Sequence, residues 1–350
     1  MTPRTVLVAA TQVPFERGGA EWHTAALRAE LAARGFIADV VQLPFRWSPP
    51  EEAVRSALAW RMLDLSRAGG MDVDLLIATR FPSYVARHPR KVVWLYHPFR
   101  QAYDLHDAGI DGFADTDEGR ALRGRIVELD GRALRECRRV FTTSDNNAAR
   151  LRRYHGLQAE VLRVPLQDAG RWRCDAFEPF VLAVGRLETL KRVDLLVRAM
   201  AAGPPAPGRA VVVGEGSQRA ALQALARELG VAGRVEFRGR LDDDAVKDLY
   251  ARCGCVFYAP WDEDYGLVTL EAFHSGKPVV TTSDAGGPLE FVRHGRTGLV
   301  AAPEPSDVAG ALARLLDRPD EARALGAAAR ASVRGLSWDA VISALISPEA

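Results

Sequence analysis

The chain has 350 residues, 48% of them apolar and 26% charged, with a formal net charge of +1. Such a length exceeds what one hydrophobic core usually serves, so two domains are expected. The balanced charge gives no global field to gather nucleic acid, and no apolar run approaches the ~18 residues that a membrane-spanning helix needs.

In chain order, the first half alternates short apolar runs with amphipathic stretches. Strands are expected over residues 5–10, 38–42, 75–79, 92–96, 139–143 and 159–161, with a helix over 20–34. The opening run Val6-Leu7-Val8-Ala9-Ala10 is too short and too strand-like for a signal peptide. Gly18-Gly19-Ala20-Glu21 follows it, and paired glycines at a helix N-terminus let a ligand approach backbone N–H groups. A loop without a ligand is the equal alternative. Gly35 stands where helices end in a left-handed residue. His97 and Pro98 terminate the strand Val92-Val93-Trp94-Leu95-Tyr96, a position where doubly wound sheets build sites.

Around residues 165–179 the alternation breaks into a Gly-, Asp-, Arg- and Pro-containing stretch that reads as an interdomain linker. It then restarts, with strands at 180–184, 210–213, 235–238, 255–259 and 278–281 and helices at 193–200, 219–229, 267–275, 308–316 and 320–333. A last short helix, 337–346, carries Trp338 and is expected to pack back across the linker. The expected class is therefore α/β, with parallel sheets in an N-terminal domain over 1–168 and a second domain over 169–335. Residues 336–350 form the returning helix.

The most informative stretch is Glu263-Asp264-Tyr265-Gly266-Leu267-Val268-Thr269-Leu270-Glu271, after the apolar run Cys255-Val256-Phe257-Tyr258-Ala259. Strand, acidic loop with glycine, then helix aims backbone N–H groups at the loop, where the helix dipole favours an anion. Glu263 lies in the loop and Glu271 about one turn inside the helix, so the two carboxylates can hold different parts of an elongated polar ligand. Upstream, Gly185-Arg186-Leu187-Glu188-Thr189-Leu190-Lys191 sets two cations on one loop after a strand. Arginine binds phosphate oxygens bidentately and lysine acts as a point charge, so the pair suits a diphosphate, with a basic, solvated turn as the alternative.

Other signals are weaker. Gly214-Glu215-Gly216-Ser217-Gln218-Arg219 has Arg219 where a dinucleotide fingerprint needs glycine, which argues against a dehydrogenase. Asp242-Asp243-Asp244 precedes a helical pattern and reads as capping rather than metal ligation. Cys137, Cys174, Cys253 and Cys255 make no zinc spacing and read as buried free thiols. Arg150-Leu151-Arg152-Arg153 and Arg171-Trp172-Arg173 read as a solvated helix face and a linker, with a patch for an anionic membrane or a phosphorylated acceptor as the sharper alternative.

Taken in order, these motifs resemble the family 4 retaining glycosyltransferases of GT-B fold. Gly18-Gly19 is similar to the N-terminal diphosphate loop, residues 184–194 to the Gly-Arg-Leu-x-x-x-Lys segment, and Val213-Gly214-Glu215-Gly216 to the Gly-x-Gly turn. Val235-Glu236-Phe237-Arg238-Gly239 is similar to the segment whose following backbone, here Gly239 and Arg240, meets the base. The glutamate pair, Gly286-Gly287-Pro288-Leu289-Glu290 and Gly295-Arg296-Thr297-Gly298-Leu299-Val300 complete the series. Phe273-His274-Ser275 and the middle of the Gly286–Glu290 segment depart from it, which touches donor specificity rather than reaction class.

The resemblance implies two doubly wound Rossmann-like domains facing each other across a cleft, the N-terminal one on the acceptor side and the C-terminal one binding the donor. It implies hexosyl transfer (EC 2.4) from a nucleotide-diphosphate sugar, a UDP-sugar before a GDP-sugar, to a hydroxyl of a sugar, glycolipid or small molecule. It further implies retention by a front-face displacement, without a metal or other cofactor. Arg186 and Lys191 would hold the diphosphate, with backbone at Gly18, Gly19, Tyr265, Gly266, Leu267 and Val268 adding donors. Glu271 would accept from the ribose, Glu263 from the transferred sugar, and His97 would orient the reacting sugar. Arg80, Phe81, Arg100, Tyr103 and Asp145 would line the acceptor side. The expected location is the cytoplasm, with a peripheral place at the inner face of the membrane as the alternative. The rival functions are a nucleotide-sugar epimerase on the same fold and a non-catalytic nucleotide-sugar binding protein.

Overall fold

In the computed structural model, which describes residues 4–15, 18–110, 112–202 and 208–347, the alternation resolves into two sheets of six parallel strands. Internal packing divides the chain into one unit of residues 1–165 with 337–350 and a second of residues 166–336.

In the first unit the chain order is β1 (Thr5–Gln12), α1 (Gly19–Ala33), β2 (Ile37–Pro44), α2 (Glu51–Met62), the short antiparallel pair β3 (Arg67–Ala68) and β4 (Met71–Asp72), β5 (Leu75–Ala78) and β6 (Lys91–Leu95). It continues through α3 (Asp104–Asp107), α4 (Asp117–Arg135), β7 (Arg139–Thr142), α5 (Asp145–His155) and β8 (Glu160–Val161). The sheet order is β2-β1-β5-β6-β7-β8. Every residue of β5 and β6 is buried, as central strands covered on both faces must be, whereas edge strand β2 alternates between half-buried and exposed residues. Helix α1 ends in a Schellman motif: Gly35 has φ +86, and the Phe36 and Gly35 N–H groups donate back to Leu31 and Ala32.

The second unit runs β9 (Glu178–Val184), α6 (Val193–Ala202), β10 (Arg209–Val213), α7 (Arg219–Glu228), β11 (Val235–Gly239), α8 (Asp243–Arg252) and β12 (Cys253–Phe257). Then follow α9 (Leu267–His274), β13 (Val279–Thr282), β14 (Gly298–Ala301), α10 (Pro305–Asp317) and α11 (Pro319–Ser332). Its sheet order, β11-β10-β9-β12-β13-β14, reverses direction between β9 and β12. A doubly wound sheet opens a crevice at such a reversal, beyond the carboxyl ends of the strands. In the first unit the corresponding reversal lies between β1 and β5.

The last helix, α12 (Trp338–Ile346), belongs to the first unit. Trp338 meets Trp94 edge-on at 6.0 Å and His23 at 6.1 Å, and Asp339 pairs with Arg34 at 2.5 Å.

Several expectations change. The strand expected at 255–259 runs Cys253–Phe257, because the Ala259 and Pro260 carbonyls turn to the Arg192 guanidinium. The stretch 165–179 is not all linker: Trp172 is buried against Tyr250 at 5.3 Å, and β9 already begins at Glu178. Helices α2, α3 and α4 were not anticipated, and of α5 (Asp145–His155) only the solvated face at residues 150–153 was. The 19-residue α4 shows the reason, burying only Ile126, Asp130, Gly131, Ala133 and Leu134 among many charges. Asp242 caps α8 as expected, accepting from the Ala245 N–H at 2.8 Å. Cys253 and Cys255 are buried, and burial pushes the Cys253 thiol up to about 12, but Cys174 is exposed. The basic clusters are largely paired: Arg153 with Asp107, Arg171 with Asp244, and Arg173 with Asp175 and Asp248, while Arg150 is buried. No helix among the described residues is long and apolar enough to cross a membrane.

Candidate functional site

The carboxyl ends of β9 and β12, on either side of the reversal in the second unit, carry the two motifs that the sequence singles out. After β9 the chain enters a 3-10 turn, Thr189–Lys191, and after β12 it forms the acidic loop. The Trp261 N–H donates to the Leu190 carbonyl at 2.8 Å, joining the two loops. Lys191 Nζ then donates to Glu263 Oε2, and both side chains are largely buried. Tyr258, at the end of β12, donates from its hydroxyl to the same oxygen at 3.0 Å. Arg186, Lys191 and Tyr258 line a hollow at these strand ends, together with Gly185 and Leu187.

The acidic loop is held from behind. Its Glu263 N–H donates to the Ala285 carbonyl, and the Gly287 N–H to the Glu263 carbonyl, at 2.8 and 2.7 Å. Arg192, next to Lys191, binds Asp284 through both guanidinium nitrogens at 2.8 and 2.7 Å and donates to Ala259, Pro260 and Thr282. One side chain thus clamps the ends of β12 and β13 to the loop after β9. Burial alone would push the Asp284 carboxyl up, but the hydrogen bonds from Arg192 and Thr282 outweigh it and hold it below the usual range.

Gly266 starts α9 with φ +83, and a Cβ there would lie 2.8 Å from the Tyr258 ring. Only glycine meets both demands. The first N–H groups of α9, from Leu267 and Val268, have no partner within the helix and carry the positive end of its dipole. Glu271 lies on the following turn, half-buried, and accepts from the Tyr250 hydroxyl at 2.7 Å. Burial raises its carboxyl above the usual range, and the Tyr250 hydrogen bond and Lys247 oppose that rise.

The glycine turn after β10 packs against backbone. A Cβ on Gly214 would lie 1.9 Å from the Gly185 carbonyl oxygen, and one on Gly216 2.3 Å from that of Leu187. Gly239 has φ +68 and accepts from the Gly214 N–H at 2.8 Å. Arg238 is exposed and paired with Glu236, and Arg240 is exposed. Tyr265 is buried, edge-on to Phe291.

In the first unit, the Gly18 N–H donates to Glu21 at 2.9 Å at the start of α1, next to Gly19. Arg80, beyond β5, binds the other Glu21 oxygen at 2.8 Å and the Thr11 hydroxyl at 2.5 Å, which ties the β1 and β5 ends together. His97 is half-buried past β6, its Nδ1 2.8 Å from the Pro98 carbonyl. Two residues expected on the acceptor side, Phe81 and Tyr103, have their side chains buried in the core. Phe81 stacks on Phe99 at 5.0 Å, and Tyr103 donates to the fully buried Asp130 at 2.5 Å. Arg100 is buried in an ion pair with Asp104 at 2.7 Å. Asp145 is exposed at the start of α5 and pairs with Arg163 at 2.5 Å.

The sequence left Tyr250, Tyr258, Arg192 and Asp284 without roles. A tyrosine ending the apolar run before the acidic loop was the available signal for Tyr258. Nothing in sequence pairs Tyr250 with Glu271 across 21 positions.

Residues 171–332 match the family model of Glycosyl transferases group 1. That stretch holds Arg186, Lys191, Glu263 and Glu271. The D-inositol 3-phosphate glycosyltransferase of Nocardia farcinica (strain IFM 10152) is 41% identical over 171 residues, which are 46% of this chain and 38% of that protein. The chain therefore aligns with well under half of that relative's length. Sucrose-phosphate synthase from Thermosynechococcus elongatus superposes with a TM-score of 0.77 at 21% identity, over 97% of this chain and 96% of that one. Anabaena HepE in complex with UDP-glucose gives 0.73 at 19% identity, over 98% of each chain. The chain has the GT-B fold, built of two Rossmann-like domains.

Proposed function

We propose that the protein is a retaining glycosyltransferase that moves a hexose from a UDP-sugar to an acceptor hydroxyl without a metal. The observation that carries the reading is the Lys191–Glu263 pair beside Arg186, at the reversal point of the unit that matches the group 1 family. A nucleoside diphosphate leaving group gathers negative charge as the glycosidic bond breaks. Fixed cations and helix N–H groups aimed at it lower the barrier without reorganising. Lys191, Arg186 and the first turn of α9 are of that kind. Glu263 holds Lys191 in place and accepts from hydroxyls of the transferred sugar. Glu271 accepts from the ribose, and His97 orients the reacting sugar.

The glycosyl centre becomes oxocarbenium-like, and the departing phosphate takes the proton of the acceptor hydroxyl on the same face. That path retains the anomeric configuration and needs no protein nucleophile. HepE, whose complex holds UDP-glucose, supports uracil as the base. The name of the Nocardia relative makes inositol 3-phosphate the first acceptor to try, beside sugars and glycolipids.

Hydrolysis of UDP-glucose without acceptor tests the reading. Wild type should turn the donor over slowly, and Arg186→Ala should abolish that turnover; unchanged turnover removes Arg186 from the site. Activity should persist after exhaustive chelation, and its loss would overturn the metal-free mechanism. Proton NMR of the product should show the donor's anomeric configuration, and an inverted product would rule out front-face displacement.

A further inference from the structure

We propose that Tyr250 is a positioning residue for Glu271. Its hydroxyl fixes one carboxylate oxygen so that Glu271 meets the paired hydroxyls of a ribonucleoside diphosphate, which makes the site select ribose over 2′-deoxyribose. The inference rests on the donor-site reading above.

Tyr250 lies on α8 with no exposed surface, its ring edge-on to Trp172 at 5.3 Å, and Lys247 of the same helix lies over that indole. Packing therefore fixes the ring before any ligand arrives. Its O–H donates to Glu271 Oε2 at 2.7 Å, joining α8 to α9. A free glutamate side chain loses rotamer freedom when it is ordered, and here the tyrosine has already ordered it.

The charged and titratable groups facing Glu271 are Tyr250, Lys247 and Asp243 from α8 and Tyr258 from the end of β12. Burial and Asp243 favour the protonated acid, while Tyr250 and Lys247 favour the carboxylate. A carboxylate accepts from two hydroxyls, whereas the protonated acid gives up part of that capacity. A 2′-deoxy sugar leaves one acceptor of the half-buried group without a partner, which disfavours its binding.

The test is calorimetric titration with UDP and with 2′-deoxy-UDP, at pH 8, of four proteins: wild type, Tyr250→Phe, Glu271→Gln and the double variant. Tyr250→Phe should weaken UDP binding about tenfold, the equivalent of one charged hydrogen bond. It should also narrow the gap between UDP and the deoxy form. Removing the hydroxyl takes away the largest influence that holds Glu271 toward the carboxylate. In the Glu271→Gln background the same change should alter affinity less than about twofold, since there is no carboxylate left to position. Equal losses in both backgrounds, or an unchanged preference for ribose, would overturn the inference. Failure of the wild type to bind UDP would overturn the donor-site reading itself, so the two failures are told apart.

Discussion

Arg192 shows most directly how single side chains build this site. It follows Lys191 in a left-handed conformation, φ +49, and its guanidinium reaches the ends of two further strands. The sequence marks Lys191 as a cation for a ligand but cannot say what keeps its loop in place. The structure answers with the bidentate pair to Asp284. Asp284→Asn should cost about 1–2 kcal/mol at pH 7, a modest figure because the carboxylate is partly exposed. Since the folded state depresses this carboxyl, its contribution is complete above the ordinary aspartate pKa and is lost as pH falls through the lower folded value. Urea denaturation of wild type and variant should therefore differ at pH 7 and converge in strong acid. A difference that stays constant with pH would contradict the assignment.

The same loops show, element by element, what was legible and what was not. Apolar runs identified β1, β5, β6, β9 and β10 within a residue or two, because strands covered on both faces need unbroken hydrophobic sequence. Helices with narrow apolar stripes and many surface charges, such as α4, carry a weaker signal and were missed. The motif glycines were legible as turns, but their reason was not. Gly214 has φ +136 and lies against the Gly185 carbonyl, so the loops after β9 and β10 can close only without a side chain there. Gly214→Ala should destabilise the second unit by on the order of 3 kcal/mol, from overpacking and backbone strain together. A melting temperature equal to that of wild type would show that the loops have room to separate. The direction of the side chains expected on the acceptor side was not legible for a related reason. Strand-end or nearby loop position singled out Phe81 and Tyr103, but side-chain direction comes from packing, and both turn into the core.

For the molecule as a whole, the candidate chemistry concentrates where the second sheet reverses its strand order. The sequence gives that arrangement indirectly, through the order of its motifs, and the sheet topology supplies the physical reason. A ligand that binds only the folded state adds about 2.7 kcal/mol of stability at a hundredfold excess over its Kd. Saturating UDP should accordingly raise the thermal midpoint, and amide exchange should slow most in the loops around Arg186–Lys191 and Glu263–Glu271. Protection confined to residues outside those loops would place the ligand elsewhere.

Calorimetric titration with UDP, GDP, ADP, dTDP and NAD decides whether these loops hold a nucleotide-sugar donor. UDP should bind tightly and in preference to the others, and its binding should be lost in Arg186→Ala and in Glu271→Ala. Binding of none of them, or UDP binding that survives both substitutions, would contradict it.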